Sequence, residues 1–246
     1  MLIRVHVHTL QLIPPLGLGY ISSSLDKHGI ENQIIDGLRD NLTNENILEV
    51  IKKEKPEAVG ISCMTAEYNV VADLSNIIKN SGLKVKVIIG GVHATIFPYQ
   101  TLVDSQADFV ICGEGEKAFV QLAMNNFDNE GIKGVYSLAD LKENSDNIQF
   151  AEYEENLDNL PFPAWEKIRP ETYRQRPAGL IYKKMPIGYV MTSRGCVCAC
   201  TFCANPFLSN KRVRFRSIEN VIAEIKLLIE KYGIKEVQFE DDSLTA

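Results

Sequence analysis

The stretch Val85-Lys86-Val87-Ile88-Ile89-Gly90-Gly91-Val92-His93-Ala94-Thr95 decides how the first half of this chain is read. A run of β-branched residues broken only by Lys86 is the pattern of a strand buried on both faces, as in the centre of a parallel sheet. The two glycines that follow permit a sharp turn and leave bare main chain at the strand's carboxyl end. In open α/β sheets, ligands bind outside that end of the strands. Gly90, Gly91 and His93 are therefore candidate ligand-facing residues, and the Gly90–Thr95 connection is read as a loop.

Outward from this run the same layout repeats. Leu2–Val7, Asn32–Ile35, Ala58–Ser62 and Asp108–Cys112 are further strand candidates. Helical patterns run from about Leu18 to Lys27 before Gly29, from the N-cap candidate Thr43 to just before Pro56 with Ile47, Leu48 and Ile51 on one face, from about Glu67 to Lys79, and onward from Glu116. The alternation predicts an α/β domain over 1–130, a flavodoxin-like, Rossmann-like parallel sheet of five strands in the order 2-1-3-4-5. Its other carboxyl-end loops are Ser62-Cys63-Met64-Thr65 and Cys112-Gly113-Glu114-Gly115-Glu116. Ser62, Thr65, Gly90, Gly91 and His93 are expected along one edge. Glu114 and Glu116 also suit a helix N-terminus, where the macrodipole favours acids. Cys63 and Cys112 read as small buried hydrophobes.

Residues 131–184 are expected to hold a hairpin-like insert (131–153) and a linker, acidic and then proline-bearing from Tyr153 to Trp165. A second unit, 185–246, opens with a strand, Gly188–Thr192, that enters Ser193-Arg194-Gly195-Cys196-Val197-Cys198-Ala199-Cys200-Thr201-Phe202-Cys203. Three thiolates spaced C-x3-C-x2-C suit one metal centre. They are one short of the four that close a four-iron cluster, which leaves an open position of the kind catalytic metal sites keep. Zinc is the competing reading, but zinc sites usually show four ligands in Cys pairs or Cys/His mixtures, and the nearest histidine in sequence is His93. Cys196, Cys200 and Cys203 are expected to converge at the mouth of the strand. Cys198, a spare thiol or a competing ligand, is expected to point elsewhere. Ser217 is a helix cap, with Val221, Ile222, Ile225, Leu228 and Ile229 as the buried stripe through about Tyr232. Gly233 ends that helix, and Glu236–Phe239 is the next strand. The basic run Lys211–Arg216 is solvated surface or a tie to the cysteine loop, which Arg194 is expected to steady.

The totals narrow the class. The 246 residues are 45% hydrophobic and 24% charged, ordinary for a globular protein. The net charge of −6 argues against non-specific nucleic-acid binding. No apolar run approaches the ~18–20 residues of a membrane span. Four of the six cysteines lie within residues 196–203, which is metal-ligand usage and implies a reducing, cytoplasmic setting.

The cysteine run resembles the cluster motif of the radical S-adenosylmethionine (SAM) enzymes. The resemblance implies a [4Fe-4S] cluster on Cys196, Cys200 and Cys203, with SAM chelated to the fourth iron by its amino and carboxylate groups. It further implies reductive SAM cleavage to a 5′-deoxyadenosyl radical and an electron donor such as a flavodoxin or ferredoxin. Phe202 takes the place of the family's aromatic near the adenine. Glu240, Asp241 and Asp242 stand where the family contacts the SAM amino group, unless they form only a solvated acidic turn. Cys198 departs from the family pattern. Upstream, Pro14–Tyr20, Val59–Ser62, Gly90–His93 and Gly113–Glu116, followed by Leu160-Pro161-Phe162-Pro163, resemble the cobalamin-binding domain that precedes the radical SAM domain in one class of these enzymes. This implies cobalamin contacts from Ser62, Thr65, Gly90, Gly91, His93, Gly113, Glu114 and Gly115. The first loop, His8-Thr9-Leu10-Gln11, lacks the Asp-x-His-x-x-Gly of histidine-ligated cobalamin domains. His93 is then weighed as a hydrogen-bonding pocket residue ahead of a cobalt ligand.

The second unit resembles only the first strand, first helix and second strand of the family's partial (β/α)6 barrel, so the chain is expected to be a fragment or truncated product. The implied activity is methyl transfer to a small molecule, or a radical cyclisation or rearrangement. No catalytic side chain is singled out. A radical SAM enzyme without cobalamin and a non-catalytic cobalamin-binding fragment remain as alternatives.

Overall fold

The computed structural model describes residues 1–9, 12–143, 147–173 and 182–245. Leu10 and Gln11 of the first loop, residues 174–181 of the expected linker and the final Ala246 lie outside the described residues. The chain divides into two compact units, Met1–His8 with Gly17–Tyr153, and Thr9–Leu16 with Glu154–Ala246.

In the first unit, β1 (Leu2–Arg4), β2 (Ile34–Asp36), β3 (Ala58–Ser62), β4 (Lys86–Gly90), β5 (Phe109–Ile111) and β6 (Val135–Tyr136) form one sheet in the order β2-β1-β3-β4-β5-β6. The first five strands are parallel and in the expected order. The expected count of five is corrected to six, because β6 pairs antiparallel with β5. The outer edge of β5 would otherwise expose main-chain groups. Instead Cys112 N donates to Gly134 O (2.8 Å) and Ala151 N donates to Cys112 O (2.8 Å). Residues 131–153 therefore belong to the first unit's sheet and not to a linker.

The helices are α1 (Leu16–Lys27), α2 (Gly37–Asp40), α3 (Asn44–Glu54), α4 (Tyr68–Asn80), α5 (Val92–Ile96), α6 (Pro98–Ser105), α7 (Gly115–Met124) and α8 (Leu138–Glu143). Alternate strand residues serve opposite faces. Ile3, Val59, Ile61, Val87, Ile89 and Val110 join one buried cluster with Ile47, Ile51, Leu74 and Ile78. Leu2, Ile88, Phe109 and Ile111 join the other with Leu18, Leu25, Phe119 and Leu122. A sheet covered on both faces accounts for strands that are apolar at every position. Thr43 caps α3 reciprocally with Asn46, as the sequence predicts. Helices α5 and α6 replace the expected loop after Gly91. They are five and eight residues long, too short to show an apolar period.

In the second unit, β7 (Ile187–Val190) pairs in parallel with β10 (Glu236–Phe239), and Val190 lies opposite Phe239. Between them come β8 (Ser193–Arg194), α10 (Asn205–Leu208), β9 (Arg214–Phe215) and α11 (Ile218–Tyr232), after the short α9 (Trp165–Ile168). The Ser217 hydroxyl accepts from Asn220 N at 3.2 Å and caps α11, and Gly233 ends it. The buried side of α11 is Val221, Glu224 and Leu228. Ile222 and Ile229, expected there, are exposed. The helix packs by a narrow face, and a carboxylate occupies the middle of it.

That carboxylate organises the unit. Trp165 Nε1 donates to Glu224 Oε1 (2.9 Å), and the Arg216 guanidinium pairs with Glu224 Oε2 while donating to Met191 O (2.8 Å). Burial pushes the Glu224 carboxyl up, and the Arg216 charge pulls it back. Asp158 Oδ1 accepts from Ser217 N (2.9 Å). The part of the expected linker from Glu154 to Tyr173 is thus packed into this unit. The basic run serves as a tie, since β9 pairs Arg214 with Arg194 of the cysteine loop. Among the described residues, no helix is long and apolar enough to cross a membrane.

Candidate functional site

The first group of candidates lies where β3 and β4 end together, with Ser62 opposite Gly90. Cys63 N donates to Gly90 O (2.8 Å) and His93 N donates to Cys63 O (3.1 Å), which folds the two strand ends onto each other. Gly91 has φ +98°, and a Cβ there would stand 2.8 Å from Cys63 O, so the turn requires glycine. Gly90 differs. A Cβ on it would meet nothing nearer than Ile111 Cβ at 3.9 Å, which leaves uncrowded main chain at the sheet edge.

His93 is buried at 6% exposure. Its ring lies between Tyr68 (centroids 4.0 Å apart) and Phe97 (5.2 Å). Its Nδ1 is 3.3 Å from Thr65 Oγ1, and its Nε2 is buried with no hydrogen-bond partner. Burial holds its pKa below the usual histidine range, which favours the neutral ring. Ser62, Thr65, Gly90, Gly91 and His93 therefore meet at one edge. Glu114 precedes α7 without a side-chain capping bond, and Gly115 is the first residue of α7.

Sequence reading missed the residue that joins the glycine turns. The Thr95 hydroxyl donates to Gly91 O (2.9 Å) and accepts from Gly113 N (3.0 Å). The available signal is a threonine four residues past a glycine turn, where Ser and Thr bond back to the i−4 carbonyl. Thr95→Val should remove both bonds and strand the Gly113 N–H, at a cost of about 1–3 kcal/mol. Thr95→Ser should retain most of that stability, with urea unfolding as the measurement. A bare glycine edge and an orphaned buried imidazole nitrogen fit a broad planar ligand such as a corrin.

The cysteine loop leaves the carboxyl end of β7. Gly195 has φ +96°, and a Cβ there would lie 2.1 Å from Arg212 O. Cys196 is half-buried, Cys198, Cys200 and Cys203 are exposed, and all four are free thiols. Cys198 N points at Cys196 Sγ (3.5 Å), and Asn205 N points at Cys203 Sγ (3.4 Å). The expected convergence of Cys196, Cys200 and Cys203 is not present. Among the described residues, no three His, Cys, Asp or Glu side chains are gathered as a metal site. Only Cys196 is held by packed structure, whereas the following turn carries Phe202 at 92% exposure. Nor does Cys198 turn away. A hydrogen bond with Cys196, and then the charges of Cys196 and Cys200, raise its pKa. The donor chemistry nonetheless fits an iron–sulfur cluster, whose thiolates are tuned by hydrogen bonds to sulfur.

At the end of β10, Glu240 is half-buried, and burial followed by the neighbouring Asp241 raises its pKa. Asp241 and Asp242 turn toward the cysteine loop. Asp241 Oδ1 accepts from Thr192 N (3.0 Å), Thr192 Oγ1 (2.9 Å), Ser193 Oγ (2.6 Å) and Ser193 N. Asp242 Oδ2 accepts from Gly195 N (3.2 Å).

Comparison with known proteins agrees with this division. Residues 5–123 match the B12 binding domain family. The chain is 36% identical over 236 residues to the uncharacterized methyltransferase PH0819 of Pyrococcus horikoshii, covering 94% of this chain and 49% of that protein. It is 29% identical to the cytidylyl-2-hydroxyethylphosphonate methyltransferase of Streptomyces wedmorensis, covering 94% of this chain and 51% of the relative. The chain thus spans about half the length of these curated relatives. The fold is shared with the radical SAM methyltransferase TsrM of Kitasatospora setae, whose structure holds cobalamin and a [4Fe-4S] cluster. There the TM-score is 0.70 at 19% identity, over 98% of this chain and 47% of that one.

Proposed function

We propose that this chain carries the cobalamin-binding and cluster-binding parts of a cobalamin-dependent radical SAM methyltransferase acting on a small molecule. The observation that carries the reading is the presence of two strand-end sites on one chain. One is the glycine edge of a sheet that matches the B12 binding domain, and the other is a loop of free thiols at the end of a parallel βαβ unit. The names of both relatives described above support methyl transfer over the radical cyclisation or rearrangement considered from sequence.

Cys196, Cys200 and Cys203 hold the cluster in this reading. Phe202 and Glu240 face SAM, Glu240 as the carboxylate toward the ammonium group. Ser62, Thr65, Gly90, Gly91, His93, Gly113, Glu114 and Gly115 line the corrin face, with His93 as a neutral hydrogen-bonding side chain. The bound cofactors supply radical generation and methyl delivery, while the protein binds and orients them. An electron donor such as a flavodoxin or ferredoxin serves the cluster.

Anaerobic reconstitution with iron, sulfide and hydroxocobalamin tests the reading. The wild type is expected to keep both chromophores through gel filtration and to release 5′-deoxyadenosine from SAM under dithionite. Cys200→Ala is expected to lose the cluster and keep the corrinoid. Gly91→Val is expected to do the reverse. Cluster loading without corrinoid would favour the cobalamin-free alternative, and retention of neither would refute the proposal.

A further inference from the structure

Asp241 is used unlike any other carboxylate among the described residues of the second unit. Four donors from two consecutive residues, Thr192 N and Oγ1 and Ser193 N and Oγ, converge on its Oδ1. Its Oδ2 is buried and without a partner. Asp242 next to it receives Gly195 N. Residues 192, 193 and 195, which lead into Cys196, thus all hang from the end of β10. That strand is itself locked in register to β7, with Phe239 opposite Val190 and Glu240 N donating to Val190 O at 2.9 Å.

We propose that Asp241, assisted by Asp242, is the positioning residue of the cysteine loop, not a contact to the SAM ammonium. The inference rests on the cluster reading above. Hydrogen bonds to an ionised acceptor are roughly twice as strong as neutral ones. Four on one oxygen saturate it and set the direction in which the chain leaves the sheet toward Cys196. An ammonium group approaching Asp241 would find Oδ1 occupied and Oδ2 enclosed. The half-buried Glu240 remains for that contact. Three adjacent acids that look equivalent in sequence therefore divide into two loop anchors and one ligand-facing carboxylate.

Parallel anaerobic reconstitution of wild type, Asp241→Ala, Asp241→Asn and Glu240→Gln separates the roles. Iron and sulfide per chain, the spectrum of the reduced cluster and its loss rate to a chelator are the readouts. Substitutions beyond the ligands themselves typically cost about 10–100-fold in metal affinity. Asp241→Ala should therefore retain the cluster about tenfold less well than wild type. Asp241→Asn should fall between the two, and Glu240→Gln should load fully but lose the SAM-induced change in the cluster spectrum. Full loading of Asp241→Ala with loss of that SAM response would overturn the inference and restore Asp241 as a SAM contact. Emission of Trp165, the single tryptophan, reports whether each variant is folded. Should Asp241→Ala unfold, the double variant Thr192→Val with Ser193→Ala removes the two hydroxyl donors. Wild-type loading by that variant would equally overturn the inference. Failure of the wild type to load would instead count against the cluster reading itself.

Discussion

Glu224→Leu is expected to destabilise the second unit by about 3–5 kcal/mol, the usual result of removing one partner of a buried ion pair. The side chains of Arg216 and Glu224 are 4% and 0% exposed. Leucine would leave a guanidinium enclosed without its counter-charge and Trp165 Nε1–H without its acceptor. Asn220 Oδ1 (2.7 Å) and Met191 O (2.8 Å) still receive hydrogen bonds from Arg216, but neither carries charge. Urea unfolding followed by Trp165 emission reads this unit, since Trp165 is 1% exposed in its core. The double variant Arg216→Met with Glu224→Leu should recover much of the loss, because apolar replacement of a whole buried pair is often neutral. A double variant no more stable than the single would mean that packing around Glu224, and not charge, sets the cost.

Gly195→Ala should damage the cysteine loop as severely as loss of a cysteine. Left-handed backbone costs an L-residue roughly 1–2 kcal/mol, and the variant must also clear a Cβ that would lie 2.1 Å from Arg212 O. The main chain has to move, and the pairing of Arg194 with Arg214 and the Gly195–Asp242 bond move with it. Calorimetry should show the second unit's transition lowered by on the order of 10 °C. Reconstituted iron should fall to the level of Cys200→Ala. Retention of normal iron would show that the loop reaches its cluster-bound form by another backbone path.

Local chemistry made much of this legible. The run from Val85 to Ile89 carries the mark of a two-sided strand, Thr43 and Ser217 are caps, and the order of the first five strands follows from βα alternation. What escaped depends on partners distant in sequence. Glu224 reads as a surface acid until Arg216 and Trp165 are brought around it. Asp241 reads as one of three equivalent acids until Thr192 and Ser193 are seen to converge on it. Strand β6 has two residues, and α5 and α6 are scarcely longer than a turn or two, so no period could reveal them. The C-x3-C-x2-C spacing identifies donors, yet the placement of their sulfurs is set by one buried anchor and an exposed turn.

The make-up of the second unit has a consequence in time. It draws on Thr9–Leu16 as well as on everything from Glu154 onward. During synthesis at roughly 5–20 residues per second, that early segment leaves the ribosome well before its partners exist. The first unit has all of its chain once Tyr153 has emerged, and it can close while Thr9–Leu16 still waits. The early segment is then a tether held open through the wait, and it is recruited only when the second unit begins to form. A pause in translation after residue 153 would lengthen exposure of that tether and leave the first unit's sheet untouched.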